Sequence, residues 1–229
     1  NDKNLKVYNS SGQEITNISV DINSAIFDSN GKYLTIAEKN GQNICTIFDK
    51  TFLWKQHLDG EILQISINPN GYVAVVTTDT TYKSIITLFD QNGQILLRNY
   101  LSSSRVIDVT ISHDYKYVAF SELDTSSALI QSLIKIISVD KALENSEEAI
   151  VYTYNSDSSK MIVNINYQDK GILVCVFENS VESIIQNNVE KKIDIEKDIS
   201  FVSCDLNGDV VYIKEENTGI FNSKSYVNI

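Results

Sequence analysis

An all-β fold of repeated four-stranded antiparallel units is predicted by three observations. They are a pattern that recurs roughly every forty residues, a second landmark in phase with it, and the turn chemistry between strands. The pattern is an apolar alternating strand, a tight polar turn and a second apolar strand. It occurs at Ser24–Ile36, Leu63–Val76, Ile107–Phe120, Met161–Val176 and Ser200–Ile213. Its turns fall at Gly31, Gly71, Tyr115, Gly171 and Gly208, spaced by 40, 44, 56 and 37 residues. The second landmark is Lys6-Val7-Tyr8-Asn9, Thr46-Ile47-Phe48-Asp49 and Thr87-Leu88-Phe89-Asp90, offset by 40 and 41 residues. The latter two precede Phe52-Leu53-Trp54 and Ile95-Leu96-Leu97, so each reads as a third strand before an outer fourth.

One small twisted sheet cannot hide both of its apolar faces. Sheets packed face to face around an axis hide them and protect their edges. The prediction is therefore a β-propeller, one domain over 1–229, with repeats near 1–23, 24–62, 63–106, 107–160, 161–199 and 200–229. About five repeats are visible. The sequence starts near a third strand at Leu5 and ends soon after another candidate strand, Ile220 to Ile229. Either the N-terminal strands close a five-bladed ring or the chain is a fragment of a larger propeller, and the fragment is favoured.

Of nine glycines, five follow an Asn and Gly60 follows Asp59. Asn-Gly and Asp-Gly tolerate positive φ, so type I′ hairpin turns are expected at these dipeptides. The one proline, Pro69, sits at a turn where it disturbs no central strand. Two stretches depart from the pattern. Ser121 to Lys141 carries an insertion, with a short helical turn expected between Lys141 and Ala149. In Val181 to Ile193 the apolar spacing also fits a helical face, while the repeat phase favours a hairpin broken at Asn187-Asn188.

Composition fits this architecture and excludes several functions. The apolar fraction is 42% and the charged fraction 21%, with twelve Tyr and eight Phe beside one Trp and one Met, the usage of a strand-rich globular protein. The formal charge of −11 repels a phosphate backbone, and the densest basic run, Lys191-Lys192, is flanked by Glu190 and Asp194. No nucleic-acid partner is expected. No apolar stretch is long enough to cross a bilayer as a helix, so membrane attachment is expected only through an anchor outside this chain. Cys45, Cys175 and Cys204 lie in apolar runs without a Cys-x-x-Cys or a neighbouring His. They read as small buried hydrophobes.

No cofactor, metal site or catalytic residue is predicted. His57 and His113 are the only histidines, each near a turn with no Cys or carboxylate cluster evident beside it in sequence. Phosphate-binding glycine loops and a Gly-x-Ser-x-Gly elbow are absent. Glu147-Glu148 and Glu215-Glu216 are adjacent pairs, which on a strand point to opposite faces. Asp28-Ser29-Asn30-Gly31 and Asp205-Leu206-Asn207-Gly208 read as hairpin turns rather than calcium loops.

Three segments carry a family resemblance. Ile111–Phe120 resembles the "SPDGKYIAF" signature of bacterial WD-repeat-like propellers, with His113 where proline is usual. Leu53–Gly60 resembles the "LWK…LDG" segment of pyrroloquinoline-quinone-type repeats. That pattern places a Trp in repeat after repeat, whereas this chain has Trp54 alone. Ile67–Val76 and Phe89–Gln94 resemble the "VSxxGxVAVV" and "YDxNGK" elements of uncharacterised bacterial propellers carried behind an N-terminal membrane anchor. The resemblance implies blade packing, an extracytoplasmic location and a longer full-length protein, and it carries no catalytic residue across. The expected function is a non-catalytic interaction or scaffold domain with a protein or cell-envelope partner. The alternatives are an enzyme with a carboxylate or metal site at the central channel, or a ligand-sensing domain.

Overall fold

The computed structural model describes residues 3–125, 131–155, 161–195, 199–204, 210–219 and 222–228, with side chains through residue 195. It comprises two compact units, Asn1–Ser102 and Ser103–Ile229. In the first, β1 (Asn4–Tyr8) and β2 (Glu14–Ser19) pair as a hairpin. Strands β3 (Ala25–Asn30), β4 (Tyr33–Glu38), β5 (Asn43–Phe48) and β6 (Thr51–His57) form one four-stranded sheet. A second contains β7 (Glu61–Ile67), β8 (Val73–Thr78), β9 (Ser84–Phe89) and β10 (Ile95–Leu101). The second unit holds β11 (Ser104–Ile111), β12 (Tyr117–Asp124), β13 (Gln131–Ser138) and β14 (Ile150–Asn155), then β15 (Ile162–Tyr167), β16 (Leu173–Phe177), β17 (Ser180–Ile185) and β18 (Asn188–Asp194). Its remaining sheet is β19 (Ile199–Cys204), β20 (Val210–Gly219) and β21 (Asn222–Asn228). Every sheet runs in chain order with antiparallel neighbours, which is the β-propeller blade. The aromatic-Asx landmarks at Phe48 and Phe89 end third strands, as their phase predicts.

Central strands are apolar on both faces because both are covered. Val73 to Val76 are fully buried in β8, and Leu173 to Phe177 are buried in β16. The outer strand β18 is exposed throughout. Apolar side chains of neighbouring blades pack together in each unit. Ile44, Trp54, Ile62, Val75 and Phe89 pack together in the first, and Ile134, Ile136, Ile165, Leu173 and Phe177 in the second. The buried Thr35 and Thr46 hydroxyls satisfy each other, 2.9 Å apart across β4 and β5.

Adjacent blades are joined at their first strands by side-chain acceptors. An inner strand pairs on one edge only, leaving N–H groups that need partners. The Asp28 carboxylate accepts the Ile67 N–H at 2.8 Å, tying β3 to β7. In the second unit the Thr110 hydroxyl accepts the Tyr167 N–H at 3.1 Å, tying β11 to β15. Asp28 lies opposite Thr35, two pairs before the end of its hairpin, and Thr110 opposite Ala119, one pair before the end of its own. Two residues earlier, Asp108 accepts from the Ile165 N–H at 2.9 Å and the Asn164 side-chain amide at 2.8 Å. Burial raises the pKa of Asp28 despite hydrogen bonds from Ile67, Ser29 and Ser66 that favour its charged form.

The turns differ from the expected type I′ geometry at Asn-Gly. At Asn70-Gly71 and Asn92-Gly93 the glycine alone has positive φ, +82° and +79°. The reason is an Asx residue three positions before each glycine. Asn68 Oδ1 accepts from the Asn70 and Tyr72 N–H groups, and Asp90 Oδ1 from those of Asn92 and Gln94. Asn9 holds Ser11 and Gln13 the same way ahead of Gly12. These are longer turns closed by a left-handed glycine. Paired positive φ values occur instead at Asp49-Lys50 and Gln186-Asn187, the two-residue loops of β5–β6 and β17–β18.

The two irregular stretches are described except for residues 126–130 of the insertion, which lie outside the described residues. Residues 181–193 form a hairpin, with its turn at Gln186-Asn187, one residue earlier than expected. Helix α1 (Val139–Glu144) starts two residues before the expected helical turn, because the Ser138 hydroxyl caps it, and a 3-10 turn follows at Ser146–Glu148. Much of Ser121–Lys141 is regular, belonging to β12 and β13. The turn at Gly208 and the carboxylate loop at Asp205 lie outside the described residues.

Candidate functional site

In an antiparallel sheet the first and third connections lie at the same end. In the second unit, four such connections from two neighbouring blades converge on a cleft of about 650 Å3. The floor is apolar: Leu173 and Ile184 are cross-strand partners and almost fully buried, with Ile136 and Tyr167 beside them. Val151 and Tyr117 form the wall toward β14 and β12. The rim comes from the β11–β12 turn, α1, the β15–β16 turn and the β17–β18 turn.

The β11–β12 turn is held by its own side chains. The Ser112 hydroxyl donates to Asp114 Oδ1 at 2.7 Å and accepts the Tyr117 N–H at 3.0 Å. Asp114 also accepts the Lys116 N–H, and Tyr115 takes a φ of +54° where the other repeats have glycine. Across the cleft mouth, His113 Nδ1 lies 2.5 Å from Asp169 Oδ1. The His113 side chain is 19% exposed and that of Asp169 72%, so this contact joins two turns through a solvated partner and adds little stability. Asp169 lies 56 residues from His113, which is why no sequence neighbourhood revealed the pair.

Three non-glycine residues on the rim have left-handed backbone: Lys170 (φ +62°), Gln186 (+47°) and Asn187 (+65°). Such conformations cost free energy and concentrate where side chains are aimed for a purpose. Burial, followed by the charges of Cys175, Tyr117 and Asp114, pushes the Tyr167 phenol well above its ordinary value. It therefore lines the floor as a neutral hydroxyl. Lys141 and Lys170 complete the rim as cations.

Several other polar groups in the described residues make contacts that hold the blades. Glu182 is almost fully buried, accepts the Tyr154 hydroxyl at 2.7 Å and has Lys192 Nζ at 3.6 Å. Glu122, fully buried, pairs with Lys135 at 2.5 Å. His57 sits 2.9 Å from the Asn43 side chain on the other unit's outer strand. Cys45 and Cys175 are buried, and desolvation pushes the Cys45 thiol up to about 11, which keeps it protonated and unreactive near neutrality. The Cys204 and Glu215-Glu216 side chains lie outside those described, while Glu147 and Glu148 are exposed on the 3-10 turn. Trp54 is a core residue stacked on Phe89 at 5.6 Å. Among the described residues, no three His, Cys, Asp or Glu side chains are grouped to hold a metal ion.

Known structures share this architecture. The WD40 domain of Neurospora crassa Pan2 matches with a TM-score of 0.63 and 7% identity, over 99% of this chain and 69% of that one. The Dos1 propeller matches with a TM-score of 0.62 and 11% identity, over 93% of this chain and 62% of its own. Hsv2p from Kluyveromyces lactis gives 0.59 and 14%, over 85% and 68%. At these identities the likeness shows the fold alone. This chain spans about two thirds of the length of each. No curated protein matches the sequence. A family model does: the family of unknown function DUF5711, over residues 1–228.

Proposed function

Since the chain belongs to the DUF5711 family, whose function is unknown, we propose a function from its own side chains: a protein-interaction propeller domain that takes a segment of its partner into the cleft between the β11–β14 and β15–β18 blades. The carrying observation is the cleft itself, about 650 Å3 with an apolar floor and a polar rim built from four turns. That combination is the usual anatomy of a recognition site, in which buried apolar surface supplies affinity and placed polar groups supply orientation. The propeller fold supports the same reading, since rigid blades present their connecting turns at fixed positions.

An unbiased displayed-peptide selection against the chain tests this. Selected peptides are expected to lose binding to Val151→Trp, which fills the cleft from β14, while the variant keeps its far-UV circular dichroism. Retention of binding by the filled variant removes the cleft from the function.

The proposal extends to location: the extracytoplasmic side of a bacterial membrane, through an anchor outside this chain. Its support is the resemblance of Ile67–Val76 and Phe89–Gln94 to anchored bacterial propellers. In fractionated cells the full-length product is expected in the membrane fraction and open to protease added outside. A protease-protected soluble product overturns this part.

A further inference from the structure

The charge of the cleft rim names the class of partner segment, and this inference rests on the cleft reading above. The chain carries 30 acidic and 19 basic residues, so its overall field repels anions. Among the charged side chains that line the cleft, two are lysines and one, Asp114, is a carboxylate. Lys141 on α1 and Lys170 on the β15–β16 turn both line the cleft, and among the described residues neither ammonium group has an ion-pair or hydrogen-bond partner. The carboxylate lining the cleft, Asp114, is engaged by the Ser112 hydroxyl and the Lys116 N–H. Asp169, beside the cleft, is engaged by His113. Both carboxylates keep their negative charge; the unpaired charges available to a ligand are the two ammonium groups, which share the cleft with an apolar floor of Leu173, Ile184 and Ile136.

We propose that the cleft binds a peptide segment in which one apolar side chain is flanked by carboxylates. The apolar side chain enters over Leu173 and Ile184, and its acidic neighbours reach Lys141 and Lys170. Burial of the apolar group supplies affinity, and the two ammonium groups select the sign of the flanking charge. The Gln186 and Asn187 amides on the opposite rim can both donate to and accept from the peptide backbone.

Fluorescence anisotropy with three labelled decapeptides tests this: a central Leu flanked by Glu, the same peptide flanked by Lys, and the Glu-flanked peptide with Ser for Leu. Only the first is expected to bind. The double variant Lys141→Glu, Lys170→Glu, both exposed positions, is expected to weaken it by about tenfold or more and to accept the Lys-flanked peptide. Added salt is expected to weaken the wild-type complex. Equal binding of the Lys-flanked peptide to the wild type overturns the charge inference, as does an unchanged affinity in the double variant. Displacement of the peptide by micromolar N-acetylglutamate also overturns it, because the ligand would then be a small carboxylate. These outcomes leave the cleft reading standing. That reading fails separately, if binding survives Val151→Trp.

Discussion

Gly93→Ala is expected to lower the unfolding free energy by about 2–4 kcal/mol, combining the strain of a left-handed alanine with overpacking. Gly93 has a φ of +79°, and a Cβ built on it would lie 2.8 Å from Trp54 Cγ. Trp54 is buried against Phe89, so its ring has nowhere to move. The Gly93 carbonyl also accepts the Gln56 side-chain amide at 2.9 Å, so a displaced turn would lose that bond as well. Gly31→Ala is the control. It has a φ of +60° but nothing within 4 Å of an added Cβ, so it carries the strain without the clash. Its expected cost is about 1 kcal/mol. Denaturant titrations followed by the fluorescence of Trp54, the one tryptophan in the chain, measure both. Equal costs for the two variants would show that the aromatic contact has no role.

The second large effect is expected at Asp108. Asp108→Ala removes the acceptor for the Ile165 N–H and for the Asn164 amide. Ile165 is 3% exposed, so water cannot replace the lost partner of its N–H without opening the blade contact. An orphaned buried donor costs about 1–3 kcal/mol, and both bonds between the blades are lost here, besides the local one from the Val109 N–H. A total of about 2–4 kcal/mol follows. Asp108→Asn keeps one oxygen that can accept from Ile165, so its cost is expected to be smaller by at least half. Amide hydrogen exchange provides the local readout: protection at Ile165 is expected to fall in the alanine variant and to persist in the asparagine one. Unchanged protection in Asp108→Ala would mean that the blades hold together without this bond.

The architecture was largely legible in the sequence, because strand alternation and turn spacing are local properties. Phe48 and Phe89 mark third strands correctly since each ends an apolar run before a turn-forming Asx. The turn type was less legible. Asn70-Gly71 reads as a type I′ dipeptide, yet Asn68 two residues upstream decides the geometry by accepting two N–H groups. Asp28 was read as part of its own hairpin turn, whereas its carboxylate reaches a strand 39 residues away. The cleft was invisible for the same reason. Ser112, Lys141, Lys170 and Gln186 belong to four different turns with no shared motif, and only the packing of two blades brings them to one rim. His113 offered a signal in retrospect: it stands where the resembling signature has proline, so the position traded backbone rigidity for a side chain that reaches Asp169.

The ties between first strands run in one direction. The earlier blade supplies the accepting side chain, Asp28 or Thr110, and the later blade supplies the main-chain donor, Ile67 or Tyr167. A donor of this kind is part of any polypeptide, so the later blade needs no particular residue to be joined. A tandem duplication of one blade would therefore arrive already compatible with its neighbours, carrying its own acceptor forward and offering a backbone to the blade behind. Polarity of this kind lets blade number change during evolution without the simultaneous alteration of two side chains.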